Sequence, residues 1–309
     1  MDKIKPSISA AQMFCLLMMS RIAAEVVYPR SVSSSAADAL GGILLAEIIR
    51  FILALPLIIY SFKGANIHRA VYNKNKFLGW TGAVIAALML IAAAFRTLFN
   101  TAEFAVKNLL TGGSMWVILA VAAIFAVYAA SMDVEANARA GAIFLITAAI
   151  VTVTVILADI PYMKPSALGN GTVPSEQNAL FQTILERILR GGDYLIFSAL
   201  LPYVNIHKKG GRGAAVIWFA IISAAASLLI CLSNGMVLRE LYGECEYPLI
   251  AAASLSDISL FKRLDGFTAA LWSLCAVFRA GLMLLSAVRV IVEVSPAFEC
   301  KVTKQEGEA

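Results

Sequence analysis

Charge is scarce in this chain and histidine nearly absent. Asp, Glu, Lys and Arg make up 15% of 309 residues, and histidine occurs twice, at His68 and His207. A soluble domain of this length carries roughly a quarter charged residues, so water is not the main solvent. Neither histidine falls in a metal-ligand spacing of the H-E-x-x-H kind, and no metal and no cofactor are expected. No G-x-S-x-G elbow occurs, and Gly64, Gly79 and Gly82 are too scattered to cradle a phosphate. An enzyme is therefore not expected. Five cysteines make no disulfide framework. Cys15, Cys231 and Cys275 lie in apolar runs, where a thiol acts as a small hydrophobe, leaving Cys245 and Cys300 as the candidates for reactivity. Strict apolar/polar alternation is also missing, which argues against a β-barrel.

What the chain does have is apolar length. Hydrophobic residues make up 60% of it and mean hydropathy is +0.81. Runs such as Trp80–Phe95, Met115–Met132, Gly141–Ala158 and Ala214–Leu238 approach the ~20 residues that cross a bilayer as helix. The expected fold is an all-α polytopic membrane protein with eight segments, at 8–28, 37–61, 78–104, 114–132, 140–158, 180–206, 213–238 and 267–292. Lys3 and Lys5 before an apolar run resemble the start of a signal peptide. The run continues past Ser20 to Tyr28, so it reads as a retained first span. With the N-terminus inside, the cytoplasmic stretches hold twelve Lys and Arg against six outside, which places both termini in the cytoplasm. The net charge of +5 fits that face and gives no sign of nucleic acid, and Lys208, Lys209 and Arg212 are placed to meet anionic lipid headgroups. Two outer connections are long. Residues 159–179 include the glycosylation-type triplet Asn170-Gly171-Thr172, and 239–266 include an apolar section, Tyr247–Phe261, too short to span. Residues 1–293 form a single transmembrane domain and 294–309 a cytoplasmic tail.

An Arg or Asp at a helix centre costs about 2.5–3.5 kcal/mol on insertion scales, yet several segments contain them. Arg21 and Glu25 are four apart and Glu47 and Arg50 three apart, spacings that place each pair on one helix face. Such pairs can simply neutralise each other or reach toward the span ends. Arg21, Arg96 and Arg279 lie well inside their segments, and an intramembrane cation faces a wet cavity or a partner. Arg279 has no acid near it in its own segment, so its partner must come from another.

The stretch LERILRGGDYLIFSALLPYV, residues 185–204, interrupts an apolar helix with Gly191, Gly192 and Asp193. One reading is an amphipathic helix on the outer surface, with Gln182, Glu186 and Arg190 as its polar stripe, followed by a short span. The other is a single crossing broken at the glycines, since Tyr194–Ile206 alone is too short to cross. A break frees backbone groups that are tolerated at membrane depth only inside protein or along a cavity. Discontinuous helices of this kind present their ends to a substrate in transporter folds. Ser20-Arg21-Ile22-Ala23-Ala24-Glu25 makes the first segment polar at its middle, and it is expected to come apart there as well.

Four motifs resemble one family. Ile8-Ser9-Ala10-Ala11-Gln12 opens the first span like its Ile-Ser-x-x-Gln start. Ala37-Asp38-Ala39 opens the second like its Asp-Ala-Trp, with Leu40 in the Trp position. Tyr128, Glu135 and Arg139 are similar to its Tyr…Gly-x-Glu-x-x-x-Arg stretch, with Asp133 for the glycine. Pro248, Ile258, Phe261, Arg263-Leu264-Asp265 and Trp272 follow its order and spacing. The chain thus resembles, over residues 8–292, the B subunit of spore nutrient-germinant receptors. These are the endospore germination permeases (GerAB type) of the amino acid/polyamine/organocation superfamily.

The resemblance implies a leucine-transporter-like inverted repeat. Residues 8–158 would be the first five-helix repeat and 180–292 a partial second repeat of three helices, where the family continues through two more. It implies sensing of a small nutrient such as an amino acid, in the spore inner membrane, together with A-type and C-type receptor subunits. The expected ligand-binding residues are Ser20, Arg21, Ala23 and Glu25 in the first segment, Gly191, Gly192 and Asp193 at the break, Arg96, and Ser198. The first segment lacks the glycines that unwind around a ligand in the superfamily, which puts its contribution on the Arg21 side chain. The alternative is a proton-coupled amino acid transporter, with Glu25, Glu103 or Asp193 carrying the proton.

Overall fold

The computed structural model describes residues 8–30, 36–62, 67–110, 112–168, 177–205, 211–255 and 264–295. The triplet at Asn170, His207 with Lys208 and Lys209, the motif residues Ile258, Phe261 and Arg263, and the tail beyond Ser295 lie outside the described residues. The helices are α1 (Ala10–Val27), α2 (Ala36–Phe62), α3 (Ile67–Lys74), α4 (Lys76–Asn108), α5 (Met115–Ser131) and α6 (Val134–Asp159). They continue as α7 (Gln177–Leu189), α8 (Asp193–Leu200), α9 (Gly211–Leu238), α10 (Pro248–Leu255) and α11 (Asp265–Val294). Among the described residues the one extended pairing is a single parallel bridge between Ile8 and Val204. The chain is an all-α polytopic membrane protein. Six of these helices are long and apolar enough to cross a membrane: α1, α2, α4, α6, α9 and α11.

The outer surface explains why water does not suit it. Leu44, Ile48, Ile52 and Leu53 of α2, Ile124 and Phe125 of α5, and Ile143, Ile146 and Ile150 of α6 are all exposed. A soluble protein rarely shows contiguous apolar patches beyond a few hundred Å², whereas hydrocarbon welcomes them. The enclosed elements are α1 and α11, each more than 60% buried over its apolar window. Helix α11 runs against α4 and α5 and also touches α1 and α8.

Local chemistry sets several boundaries. The Ser9 side chain accepts from Gln12 N–H (3.2 Å) and Gln12 Oε1 accepts from Ser9 N–H (2.8 Å), a reciprocal capping box. That is the physical content of the Ile-Ser-x-x-Gln opening. Ile8 adds to it, donating to Tyr203 O (3.2 Å) and accepting from Asn205 N–H (2.8 Å), so the start of α1 is tied to the chain just after α8. The other end is tied too, Arg30 N–H donating to Glu246 O (3.0 Å). Asn75 accepts from Leu78 N–H (3.2 Å) and separates α3 from α4.

Two expectations need correction. The first crossing does not come apart: α1 is an unbroken helix of 18 residues, because it holds neither Gly nor Pro and its polar side chains find partners without disturbing the backbone. Arg139 is not in a loop, since α6 starts at Val134 and carries a Glu135–Arg139 ion pair on its exposed first turns. Of the apolar section Tyr247–Phe261, expected to lie at the interface or to dip in, the described part forms α10, whose Leu249, Ile250, Ala252 and Ala253 are buried, so it packs into the protein.

The break in the sixth segment is present where the glycines are. Helix α7 ends at Leu189 and α8 begins at Asp193. Their 13 and 8 residues are about 20 Å and 12 Å long, so neither alone spans a ~30 Å core, while the two together do.

Gly281 of α11 marks a close helix contact. A Cβ there would lie 2.7 Å from Ala126 O and 2.7 Å from Ala129 Cβ of α5, and small residues are what let helix backbones approach in a bilayer. Gly281→Ala is expected to push α5 off α11 and cost about 1–3 kcal/mol, as overpacking does. Thermal unfolding of the purified variant checks this, with Ala280→Gly as the neighbouring control.

Candidate functional site

The polar residues of α1 sit at its middle, and four other helices bring partners to them. Helix α1 runs antiparallel to the α7–α8 pair: Ile8 meets Val204, Ser20 meets Asp193, and Glu25 meets Arg187. Helix α2 runs alongside α7, with Gly42 against Thr183 and Arg50 against Gly191. Helix α11 passes behind the break and supplies Arg279.

At the centre is Asp193, the first residue of α8, which is 2% exposed. Its Oδ1 accepts from Ser20 Oγ at 2.7 Å and lies 3.5 Å from Arg279 Nη1. Its Oδ2 lies 3.8 Å from Arg21 Nη1. Arg279 is fully buried and donates to two carbonyls, Ser20 O and Arg190 O, the latter at 2.7 Å. Arg190 O lies beyond the end of α7, where no further turn supplies an N–H. One side chain of α11 therefore caps the break and clasps it to α1.

A second knot lies one turn further along α1. Glu47 of α2 accepts from Arg21 and, at 2.6 Å, from Arg50 Nη1. Glu25 lies 3.4 Å from Arg21 and accepts from Arg187 Nη1 of α7 at 2.7 Å. Arg190 donates to Pro29 O (2.8 Å) and pairs with Glu186 at 3.4 Å. Such pairs overcome the desolvation cost of buried charge only through close geometry and added hydrogen bonds, and both are present here.

Of the expected site residues, Ser20, Arg21, Glu25, Gly191, Gly192 and Asp193 come together in this cluster, with Ala23 fully buried on α1 nearby in sequence. A Cβ on Gly192 would stand 2.8 Å from Met283 Cε of α11, so the break and α11 are in direct contact. Arg96 is not in the cluster. It is exposed on α4, with its guanidinium 5.6 Å from the Tyr28 ring centroid. Ser198 is also separate, its hydroxyl donating to Leu195 O (2.7 Å) and hydrogen-bonded to His68 Nε2 of α3 (3.1 Å). Burial lowers the pKa of that histidine.

Arg187 is absent from the expected site residues, and Arg50 is expected only as the local partner of Glu47. The signal for Arg187 lay in its spacing of three from Arg190, which puts two cations on one face of α7 with a single acid, Glu186, beside them. Among the described residues no group of three or more His, Cys, Asp and Glu is placed to hold a metal ion.

The family model described as spore germination protein matches residues 7–303. No curated protein matches the chain.

Proposed function

The chain belongs to the spore germination protein family, a family of germination-related membrane permeases, and from that premise we propose that it is the nutrient-sensing membrane subunit of a germinant receptor. A small nutrient such as an amino acid binds among Ser20, Arg21, Ala23, Glu25, Gly191, Gly192 and Asp193. Arg96 with Tyr28, and Ser198 with His68, lie apart from that cluster. The protein works in the spore inner membrane with A-type and C-type receptor subunits, both termini cytoplasmic. The domain is an inverted repeat whose second half, from α7 onward, has three crossings.

The observation that carries this reading is the joint at Asp193. Ser20 of α1, Asp193 of the broken crossing and Arg279 of α11 meet through a few buried polar contacts. A ligand that prefers one arrangement of that joint shifts the population between two states, and one that binds both equally shifts nothing. The runner-up, a proton-coupled amino acid transporter, has the buried Ser20–Asp193 hydrogen bond in its favour. Every carboxylate of the cluster is also held by guanidinium groups, however, which suits a switch more than a proton carrier. Substrate accumulation in proteoliposomes under a pH gradient would establish transport.

Germination assays of spores carrying Arg21→Ala or Gly192→Leu test the sensor. Each variant is expected to need about tenfold more nutrient or more, in line with typical coupling between sites. An unchanged response in both, at normal protein levels, overturns this assignment of the site.

A further inference from the structure

The buried cluster holds more positive charge than its own acids balance. Arg21, Arg50, Arg187, Arg190 and Arg279 are each under 8% exposed, and the enclosed carboxylates facing them are Glu25, Glu47 and Asp193. Glu186 adds one more acid from the rim, where its side chain is 34% exposed. Five cations against three buried acids, or four with the rim, leave an excess. Arginine does not lose its proton in proteins, so the excess is not relieved by titration, and a buried unpaired charge is costly.

Arg50 shows where the missing anion would sit. Its Nη1 is used by Glu47, while Nε and Nη2 are buried without a hydrogen-bond partner. Those two nitrogens form one edge of the guanidinium, the fork that takes both oxygens of a carboxylate side-on. The edge lies against the break: a Cβ on Gly191 would stand 3.2 Å from Arg50 Nε. The acids, in contrast, each face at least one guanidinium. Glu47 is held by Arg21 and Arg50, Glu25 by Arg187, and Asp193 by Ser20, Arg21 and Arg279. Glu25 Oε1 is the one carboxylate oxygen of the cluster buried without a hydrogen-bond partner, 3.4 Å from Arg21, so an ammonium group has a single oxygen to meet while the cluster as a whole keeps its excess of cations.

We infer that the ligand of this site is a small carboxylate of net negative charge, held side-on by Arg50 Nε and Nη2 at the Gly191 break. The inference rests on the reading of this cluster as the ligand site of a sensor, and it names the ligand's class. Carboxylate binding adds the anion that the cluster lacks, and it does so at the joint between α2 and the broken crossing.

The test uses the purified full chain in lipid nanodiscs and follows its thermal unfolding against succinate, L-glutamate and L-alanine. Succinate or L-glutamate is expected to stabilise the protein at concentrations at least about tenfold below L-alanine. Arg50→Lys keeps the charge but loses the fork, and should raise the concentration needed about tenfold or more. If L-alanine matches the anions and Arg50→Lys changes nothing, the inference falls and the sensor stands. If no solute of either class has an effect, the sensor reading falls with it. Chloride or inorganic phosphate acting as well as succinate overturns the carboxylate assignment. Should Arg50→Lys fail to fold, the comparison of anions with L-alanine on the wild-type protein decides alone.

Discussion

Arg279→Leu is expected to destabilise the purified protein by about 3–5 kcal/mol, the cost of removing one partner from a buried charged pair. The substitution removes the donor to Arg190 O, a carbonyl past the end of α7, and the donor to Ser20 O. It also takes away the cation that lies 3.5 Å from Asp193. The loss of positive charge returns part of this by easing the excess among the arginines. The orphaned carbonyl and the loosened break outweigh that gain, because an unsatisfied buried acceptor alone costs about 1–3 kcal/mol. Denaturant or thermal unfolding in detergent measures the change. Arg279→Lys should fall in between, since an ammonium keeps the charge but does not span both carbonyls with a planar fork. A loss below about 1 kcal/mol in the leucine variant would mean that the break is held by its neighbours without Arg279.

Much of the fold was legible because hydrophobic length is a robust signal. Every expected segment has a helical counterpart, and the break was visible because Gly191-Gly192-Asp193 has no other use inside an apolar crossing. The requirement that Arg279 find its partner on another segment also led to the right kind of contact, with Ser20, Arg190 and Asp193. The misreadings arose where local pairing seemed sufficient. Arg21 and Glu25 share a face four residues apart and do lie 3.4 Å from each other, but Arg21 donates to Glu47 of α2 and Glu25 accepts from Arg187 of α7. Helical spacing reveals which side chains can meet within one helix and nothing about which helices become neighbours. The same limit explains α1: polar residues at its centre suggested an opening of the backbone, whereas they serve as attachment points on an intact rod. Arg96 was grouped with the buried cations by its depth in the sequence of α4, but depth along a helix does not specify which side of it faces the interior.

Asp193→Asn is the substitution that reaches both stability and response. It keeps shape and leaves Ser20 an acceptor at Oδ1, but removes the negative charge that faces Arg21 at 3.8 Å and Arg279 at 3.5 Å. The cluster, already richer in cations, becomes more so, and a loss of about 3–5 kcal/mol is expected. Pairing with Arg279→Met separates the two causes. If the acid and the arginine act on each other, the double variant should be less damaged than the sum of the single ones, with a coupling of about 0.5–3 kcal/mol. Additive losses would place their roles apart, Arg279 serving the carbonyls of the break and Asp193 serving Ser20 and Arg21. In spores, Asp193→Asn should abolish the nutrient response at protein levels where Gly281→Ala, which disturbs the α11–α5 contact and removes no charge, still responds. A variant that stays as stable and as responsive as the parent would show that α1 and the broken crossing are joined by something other than this carboxylate, since Asp193 is where the first helix, the break and the eleventh helix all meet.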